Sequence, residues 1–388
     1  MSRALAAQGE SPVVATDVRI GGDDKQARFV VDLNRKVDLA VFTLADPYRV
    51  VVDLPQTTFK FPAKAGEQGR GLVKAFRFGL IMQGGSRIVL DAKGPVRLDK
   101  AFVLDAAEGQ PARLVLDLVA TDRASFMRSL GNRPAAQSAS VKPSEPPPKP
   151  DGDARPLVVL DPGHGGIDNG TRGSGGELEK DVVLAFAQTL REKLESSGKF
   201  RVAMTRSDDV FIPLGERVRF ARSRSAGLFI SLHADALPRR EGQAEGATIY
   251  TLSENASDAE AARLAETENK ADVIAGVDLT SEPDDVANIL VDLAQRETKT
   301  FSMQFARTVV DELKTAARLH KHPLKSAGFK VLLAPDVPSV LVELGYMSTK
   351  DDLRQLTSAS WRAKTAQALA QAVDNFFTPR VASGGRRN

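Results

Sequence analysis

Two hydrophobic rhythms divide the chain. Between residues 14 and 120 the apolar positions come in short β-branched runs bounded by Gly, Asp and Pro, with no helical period between them. Four of these runs share an echo, an Arg, three apolar residues and an Asp: Arg28-Phe29-Val30-Val31-Asp32, Arg49-Val50-Val51-Val52-Asp53, Arg87-Ile88-Val89-Leu90-Asp91 and Arg113-Leu114-Val115-Leu116-Asp117. Such runs predict strands, and their repetition predicts a small all-β sandwich with the echoes as equivalent strands. After residue 156 the rhythm changes. Short buried runs at Leu157–Leu160, Phe200–Met204, Leu228–Leu232, Ala247–Leu252 and Val340–Val342 alternate with stretches of helical spacing. Val182, Val183, Phe186, Leu190 and Leu194 predict a helix over Asp181–Leu194, and further helices are expected at Leu214–Ser223, Thr300–Leu313 and Ala359–Phe377. That alternation predicts an α/β domain, a mixed twisted sheet flanked by helices, over residues 157–378.

Three stretches fit neither rhythm. Residues 121–156 shift to Pro, Ser, Ala and Lys, culminating in Lys142-Pro143-Ser144-Glu145-Pro146-Pro147-Pro148-Lys149-Pro150, a composition that buries no core and favours an extended tether. Residues 1–13 read as a disordered lead and 379–388 as a basic tail. A polar segment of helical character at about 255–295 interrupts the α/β pattern; it is too long for an ordinary connection and needs a purpose.

Composition narrows the chemistry. The 388 residues suggest two or three domains, and 53 Lys+Arg against 50 Asp+Glu is too balanced for a dedicated nucleic-acid binder. No run approaches the roughly 18 apolar residues that span a bilayer. The absence of cysteine excludes disulfides, thiolate metal sites and cysteine nucleophiles, so any metal must sit on carboxylates and the four His. Ala4-Leu5-Ala6-Ala7 is similar to the small-residue stretch around a signal-peptidase site, which suggests an exported protein whose signal is absent or removed here.

Two strands run straight into histidine. Leu157-Val158-Val159-Leu160-Asp161-Pro162-Gly163-His164-Gly165-Gly166 ends in a Gly-rich turn, and Leu228-Phe229-Ile230-Ser231-Leu232-His233-Ala234-Asp235 sets His233 at an equivalent height. Ser339-Val340-Leu341-Val342-Glu343 ends in a carboxylate. Ligands and catalytic groups gather at the carboxyl ends of strands in open α/β sheets. Two His, one carboxylate and an open position fit a catalytic zinc site, with a further carboxylate to take a proton from water. Spacing alone does not choose the ligand carboxylate.

These residues carry a resemblance. Asp161–Gly166, Gly176–Asp181, Thr205–Asp209, Phe229–Asp235 and Val337–Tyr346 resemble, in order, five motifs of the zinc-dependent N-acetylmuramoyl-L-alanine amidases, the cell-wall amidases. Asn169 and Thr171 stand where that family more often has Pro and Ala. The resemblance implies one Zn2+ on His164, Glu179 and His233, with Glu343 as general base, hydrolysing the amide between N-acetylmuramic acid and L-alanine in peptidoglycan. Glu177 is the neighbour most easily mistaken for Glu179, and Asp161, Asp181 and Asp235 are candidates for orienting the ligands or for local turn and cap roles. His320 and His322, in a polar stretch, are assigned to surface or cleft.

Members of that family that separate dividing cells look similar through Tyr250–Asp258 and carry an inserted helix that occludes the zinc until an activator displaces it. By that likeness one of Glu260, Glu266 and Glu268, Glu266 first, is expected to cap the metal, while Val286, Ile289, Leu290 and Leu293 dock the segment or recruit the activator. Residues 14–120 resemble the AMIN module that targets such enzymes to peptidoglycan and the septum. The resemblance thus implies a periplasmic, monomeric amidase of daughter-cell separation, released by a LytM-type activator. A zinc peptidase cutting within stem peptides, and a silent cell-wall binder, are the rival readings.

Overall fold

The computed structural model describes residues 12–62, 64–82, 85–107, 109–131, 153–236, 245–277 and 289–384. Residues 1–11 of the expected lead, most of the tether, the end of the tail and Val286 lie outside these residues, as do the side chains of Ile289, Leu290 and Leu293; the lead expected to residue 13 ends sooner, because Val13 is buried in a strand. The chain divides into two compact units, residues 1–139 and 140–388.

The first unit runs β1 (Val13–Gly22), β2 (Gln26–Leu33), β3 (Ala40–Leu44), β4 (Arg49–Pro55), β5 (Thr57–Phe59), β6 (Val73–Met82), β7 (Gly85–Ala92), β8 (Val96–Leu104), β9 (Ala112–Ala120) and α1 (Arg123–Gly131). The strands form two sheets, β5-β1-β2-β9-β8 and β3-β4-β7-β6. The echoes are β2 and β9 at the centre of one sheet and β4 and β7 at the centre of the other. Antiparallel pairing sets Arg28 opposite Asp117 and Arg113 opposite Asp32, and likewise Arg49 opposite Asp91 and Arg87 opposite Asp53. The pleat explains the motif: the second and fourth positions, Phe29, Val31, Val50, Val52, Ile88, Leu90, Leu114 and Leu116, are fully buried in one core between the sheets. The charged ends lie on the other face of each sheet, where Arg49 and Asp32 are buried too, and Arg28–Asp117 and Arg87–Asp53 form cross-strand ion pairs at 2.7 and 2.5 Å. The chain does not leave this unit at residue 120, because α1 buries Phe126 edge-on against Tyr48.

The second unit contains β10 (Leu157–Pro162), α2 (Glu179–Ser196), β11 (Arg201–Met204), α3 (Leu214–Ser223), β12 (Leu228–His233), β13 (Ala247–Leu252), α4 (Ala259–Glu268), α5 (Ala271–Ile274), α6 (Ile289–Leu313), β14 (Leu319–Ala327), β15 (Ser339–Glu343), α7 (Lys350–Leu356) and α8 (Ala359–Gly384). One sheet of order β11-β10-β12-β15-β13-β14 is parallel except where β13 runs against β15. Val183, Phe186 and Leu190 of α2, Phe305 and Val309 of α6, and Leu369 and Val373 of α8 pack on Val158, Leu160, Ile230 and Val342 in a single core. Helix α8 continues into the stretch read as a tail. Strand β14, with His320 and His322, is an edge strand where sequence showed only a polar segment.

Candidate functional site

Strands β10, β12 and β15 deliver three side chains to one end of the sheet. His233 and Glu343 are the last residues of neighbouring strands and pair in register, so their side chains leave side by side. His164 follows β10 by two residues and takes φ +59°, a left-handed conformation unusual for a residue with a Cβ, and Gly165 and Gly166 continue the turn at +123° and +56°. Glu179 opens α2 and is fully buried.

The donor atoms converge without bonding one another. His164 Nδ1 lies 2.9 Å from Asp168 Oδ2, and a proton there leaves Nε2 as a free lone pair. His164 Nε2 is 3.0 Å and His233 Nδ1 3.4 Å from Glu179 Oε1. Neither approach has hydrogen-bond geometry, and both ring nitrogens are buried without a partner. Glu179 is fixed from behind, Oε1 accepting from Ala234 N and Oε2 from Thr171 N, each at 2.9 Å. Ligand atoms of His164, Glu179 and His233 all lie within 4.8 Å of one another, and no other such group occurs among the described residues. Two buried imidazole nitrogens without a partner and a buried carboxylate oxygen suit Zn2+. Glycine is required around them: a Cβ on Gly170 would meet the His164 ring at 2.6 Å.

Burial opposes charge on each group, and neighbours decide the outcome. Glu179 is held well below the usual carboxylate range because His164 and His233 outweigh its burial. His164 is raised well above the usual imidazole value, with Glu179, Asp168 and Glu268 overcoming burial. Glu343 is pushed well above its ordinary value by burial and by Glu179, Asp235 and Glu268. Its Oε2 accepts from Asp235 N at 3.0 Å, while Oε1 is buried without a partner.

The inserted segment reaches this cluster, but through a different residue from the one expected. Glu266 is exposed and pairs with Lys270 at 2.7 Å. Glu268 is buried, its Oε2 3.1 Å from His233 Nδ1 and 3.7 Å from His164 Nε2. Burial pushes its carboxyl up to about 7, against the pull of His233 and His164. Periodicity explains the correction: Ala261, Leu264 and Ala265 form the buried face of α4, and position 268 continues that face while 266 does not. Glu260 instead lies at the helix start, accepting from Tyr346 Oη at 3.1 Å and pairing with the buried Lys325 at 2.9 Å. Beyond α4, Asn269 accepts from Lys330 N and donates to Gly328 O, and Asp272 accepts from Leu214 N at the start of α3.

The remaining candidates separate. Asp235 accepts from Thr171 Oγ1 at 2.7 Å, so Thr171 ties the Glu179 loop to the end of β12. Asp161 touches no ligand side chain and binds Arg217, Thr205 and Ser231. Asp181 is exposed, and Glu177 caps its own turn at Gly175 N. His320 bonds to His322, away from the donor cluster. Asp168, the partner of His164, was not singled out from sequence; its position four residues on, inside the same glycine turn, was the available signal.

Comparison with known proteins gives two family matches. Residues 158–375 match the N-acetylmuramoyl-L-alanine amidase family and residues 17–119 the AMIN domain. The chain is 34% identical over 380 residues to the N-acetylmuramoyl-L-alanine amidase AmiC of Escherichia coli O6:H1, covering 95% of this chain and 90% of that one. It is 34% identical over 386 residues to the AmiC amidase of Neisseria meningitidis serogroup B, covering 95% and 91%. Among solved structures, the AmiC2 amidase of Nostoc punctiforme aligns with 26% identity and a TM-score of 0.41 over 58% of this chain and 99% of that one.

Proposed function

The chain belongs to the N-acetylmuramoyl-L-alanine amidase family and is an enzyme of peptidoglycan, and from that premise we propose a zinc hydrolase held inactive by its own inserted helix. One observation carries the reading: the unpartnered nitrogens of His164 and His233 converge with Glu179 beside an unpartnered oxygen of Glu343, and Glu268 fills the space in front of them. His164, Glu179 and His233 would hold the zinc and Glu343 would be the base.

Zinc in such a site lowers the pKa of water and polarises a carbonyl. The chain's own groups do the rest. Asp168 and the main chain at Thr171 and Ala234 hold the ligands in place. Glu343, oriented by Asp235 N and drawn back toward its charged form when the cluster holds a cation, takes the proton of the attacking water on Oε1 and passes it to the departing nitrogen. The bond broken joins the lactyl group of N-acetylmuramic acid to L-alanine, so stem peptides leave with free amino ends.

In the resting chain Glu268 takes the place that water and substrate need. An activator of LytM type lifts α4, and the AMIN unit brings the enzyme to septal peptidoglycan, so that hydrolysis in the periplasm is confined to daughter-cell separation. The test is mass spectrometry of soluble products from purified sacculi incubated with the zinc-loaded full chain, Glu268→Ala and the double variant Glu268→Ala/Glu343→Gln. The expected result is at least tenfold more intact stem peptide from Glu268→Ala than from the parent, and a loss of about 10²- to 10⁴-fold in the double variant. Peptides lacking L-alanine would assign a peptidase, and silence from Glu268→Ala with zinc bound would refute the reading.

A further inference from the structure

We propose that Arg217 is a positioning residue for the metal centre: from α3 one guanidinium holds the Asp161 carboxylate and the carbonyls of Pro162 and His164, fixing the turn that presents the His164 imidazole. The inference rests on the reading of His164, Glu179 and His233 as metal ligands.

From Pro162 to Gly166 the chain turns away at the end of β10, with Gly163 N still bonded to Leu232 O and Gly165 O accepting from Asp168 N. The other four carbonyls are met by buried cations from three places in the chain. Arg217 Nη1 donates to Pro162 O at 2.9 Å and Nη2 to His164 O at 2.7 Å. Arg206 donates to Pro162 O and Gly163 O at 3.0 and 2.8 Å, and Lys180 Nζ to Gly166 O at 2.9 Å. His164 sits in a left-handed conformation that a side chain resists, so something outside the turn must hold it there. The bond to His164 O does so at that residue.

Arg217 is in turn oriented on every side. Its Nε donates to Ile212 O at 2.8 Å, and Nη1 pairs with Asp161 Oδ1 at 2.9 Å. Asp161 is completely buried and accepts from Thr205 Oγ1 at 2.6 Å and Ser231 Oγ at 2.8 Å. Ser231 lies two residues before His233, so one ion pair ties the strand of one histidine to the turn of the other. Only a guanidinium offers planar donors at fixed angles to three acceptors together; an ammonium does not. Placing Arg206 beside it is costly, since burial and the like charge of Arg217 lower Arg206 to about 10. Asp168 sets the ring from its Nδ1 side, and Arg217 sets the main chain from which the ring hangs.

The experiment compares the full chain with Arg217→Lys, the double variant Thr205→Val/Ser231→Ala, and His233→Ala. Three quantities are read: Zn2+ affinity by chelator competition, the absorption bands of the Co2+-loaded protein, and the unfolding midpoint of the metal-free protein. We expect Arg217→Lys to bind Zn2+ about 10- to 100-fold more weakly with altered Co2+ bands. The double variant should lose severalfold; both metal-free midpoints should fall, because buried acceptors lose their donors, and the loss of affinity should follow the change in the Co2+ bands and not the fall in midpoint. Parental affinity and bands in a folded Arg217→Lys would overturn the proposal, as would affinity losses that simply track the metal-free midpoint. Should Arg217→Lys not fold, unchanged affinity in the double variant overturns it instead. A parent that binds no Zn2+, or a His233→Ala form that binds as well as the parent, refutes the ligand reading itself.

Discussion

A Cβ on Gly163 would lie 2.4 Å from Cε1 and 2.5 Å from Nε2 of His233, so the ring has to move. Gly163→Ala is therefore expected to displace the imidazole. Zn2+ affinity and the hydrolysis rate of a Glu268→Ala background should each fall at least tenfold, measured by chelator competition and product release. At this scale the sequence was partly transparent. His164, His233 and Glu343 each close an apolar run, and a strand-end carboxylate or imidazole stands out against hydrophobic neighbours. Glu179 did not stand out, because Glu177 and Lys180 surround it and helix-start acids are common; only the family likeness chose it. Glu268 was hidden for the opposite reason. Its segment is rich in acids, and the distinguishing fact is that one of them occupies the buried face of its helix.

Helices α3, α4 and α5 act on one another through their ends. Helix α3 begins after Pro213 with no cap from its own neighbours, and Asp272 of α5 supplies one by accepting from Leu214 N in a buried setting. The same bond fastens the inserted segment to the unit just beyond α4. Asp272→Ala is expected to lower stability by about 1–2 kcal/mol, a lost cap with a buried N–H left over. It should also raise basal hydrolysis severalfold, read by urea unfolding and peptide release, because the clasp that keeps Glu268 in place is looser. Element boundaries were well marked where hydrophobicity alternates strongly, as at α3 and β13, which fall where the pattern puts them. Strand β14 escaped notice because an edge strand needs only one covered side, and Lys321, His322 and Lys325 make it read as loop. Helix α1 escaped because it is short and docks by one aromatic residue.

Two units with separate cores predict separable responses to metal removal. Chelation should lower the unfolding midpoint of the catalytic unit and leave that of the β unit unchanged in a calorimetric scan. Free metal at a thousandfold excess over its dissociation constant stabilises the folded form by about 4 kcal/mol, and each kcal/mol moves a unit of this size by roughly 2–4 °C. The division into a β unit and an α/β unit was legible because the two hydrophobic periods differ so sharply. The order of strands in each sheet was not, since periodicity reports which face is buried and says nothing of which strand lies alongside. Within the β unit that ambiguity has a physical side. An Arg-to-Asp run laid antiparallel on its own copy is complementary at both ends, so every echo strand matches every other, yet β2 belongs with β9 and β4 with β7. During folding β2 meets β4 across a far shorter loop than the one separating it from β9, and closing the shorter loop loses less entropy. Mispaired hairpins therefore compete with the native sheet. Exchanging Arg28 and Asp117 keeps the native contact and sets Asp against Asp in the β2–β4 mispair, so R28D/D117R should refold faster in stopped-flow while its equilibrium stability stays within about 0.5 kcal/mol.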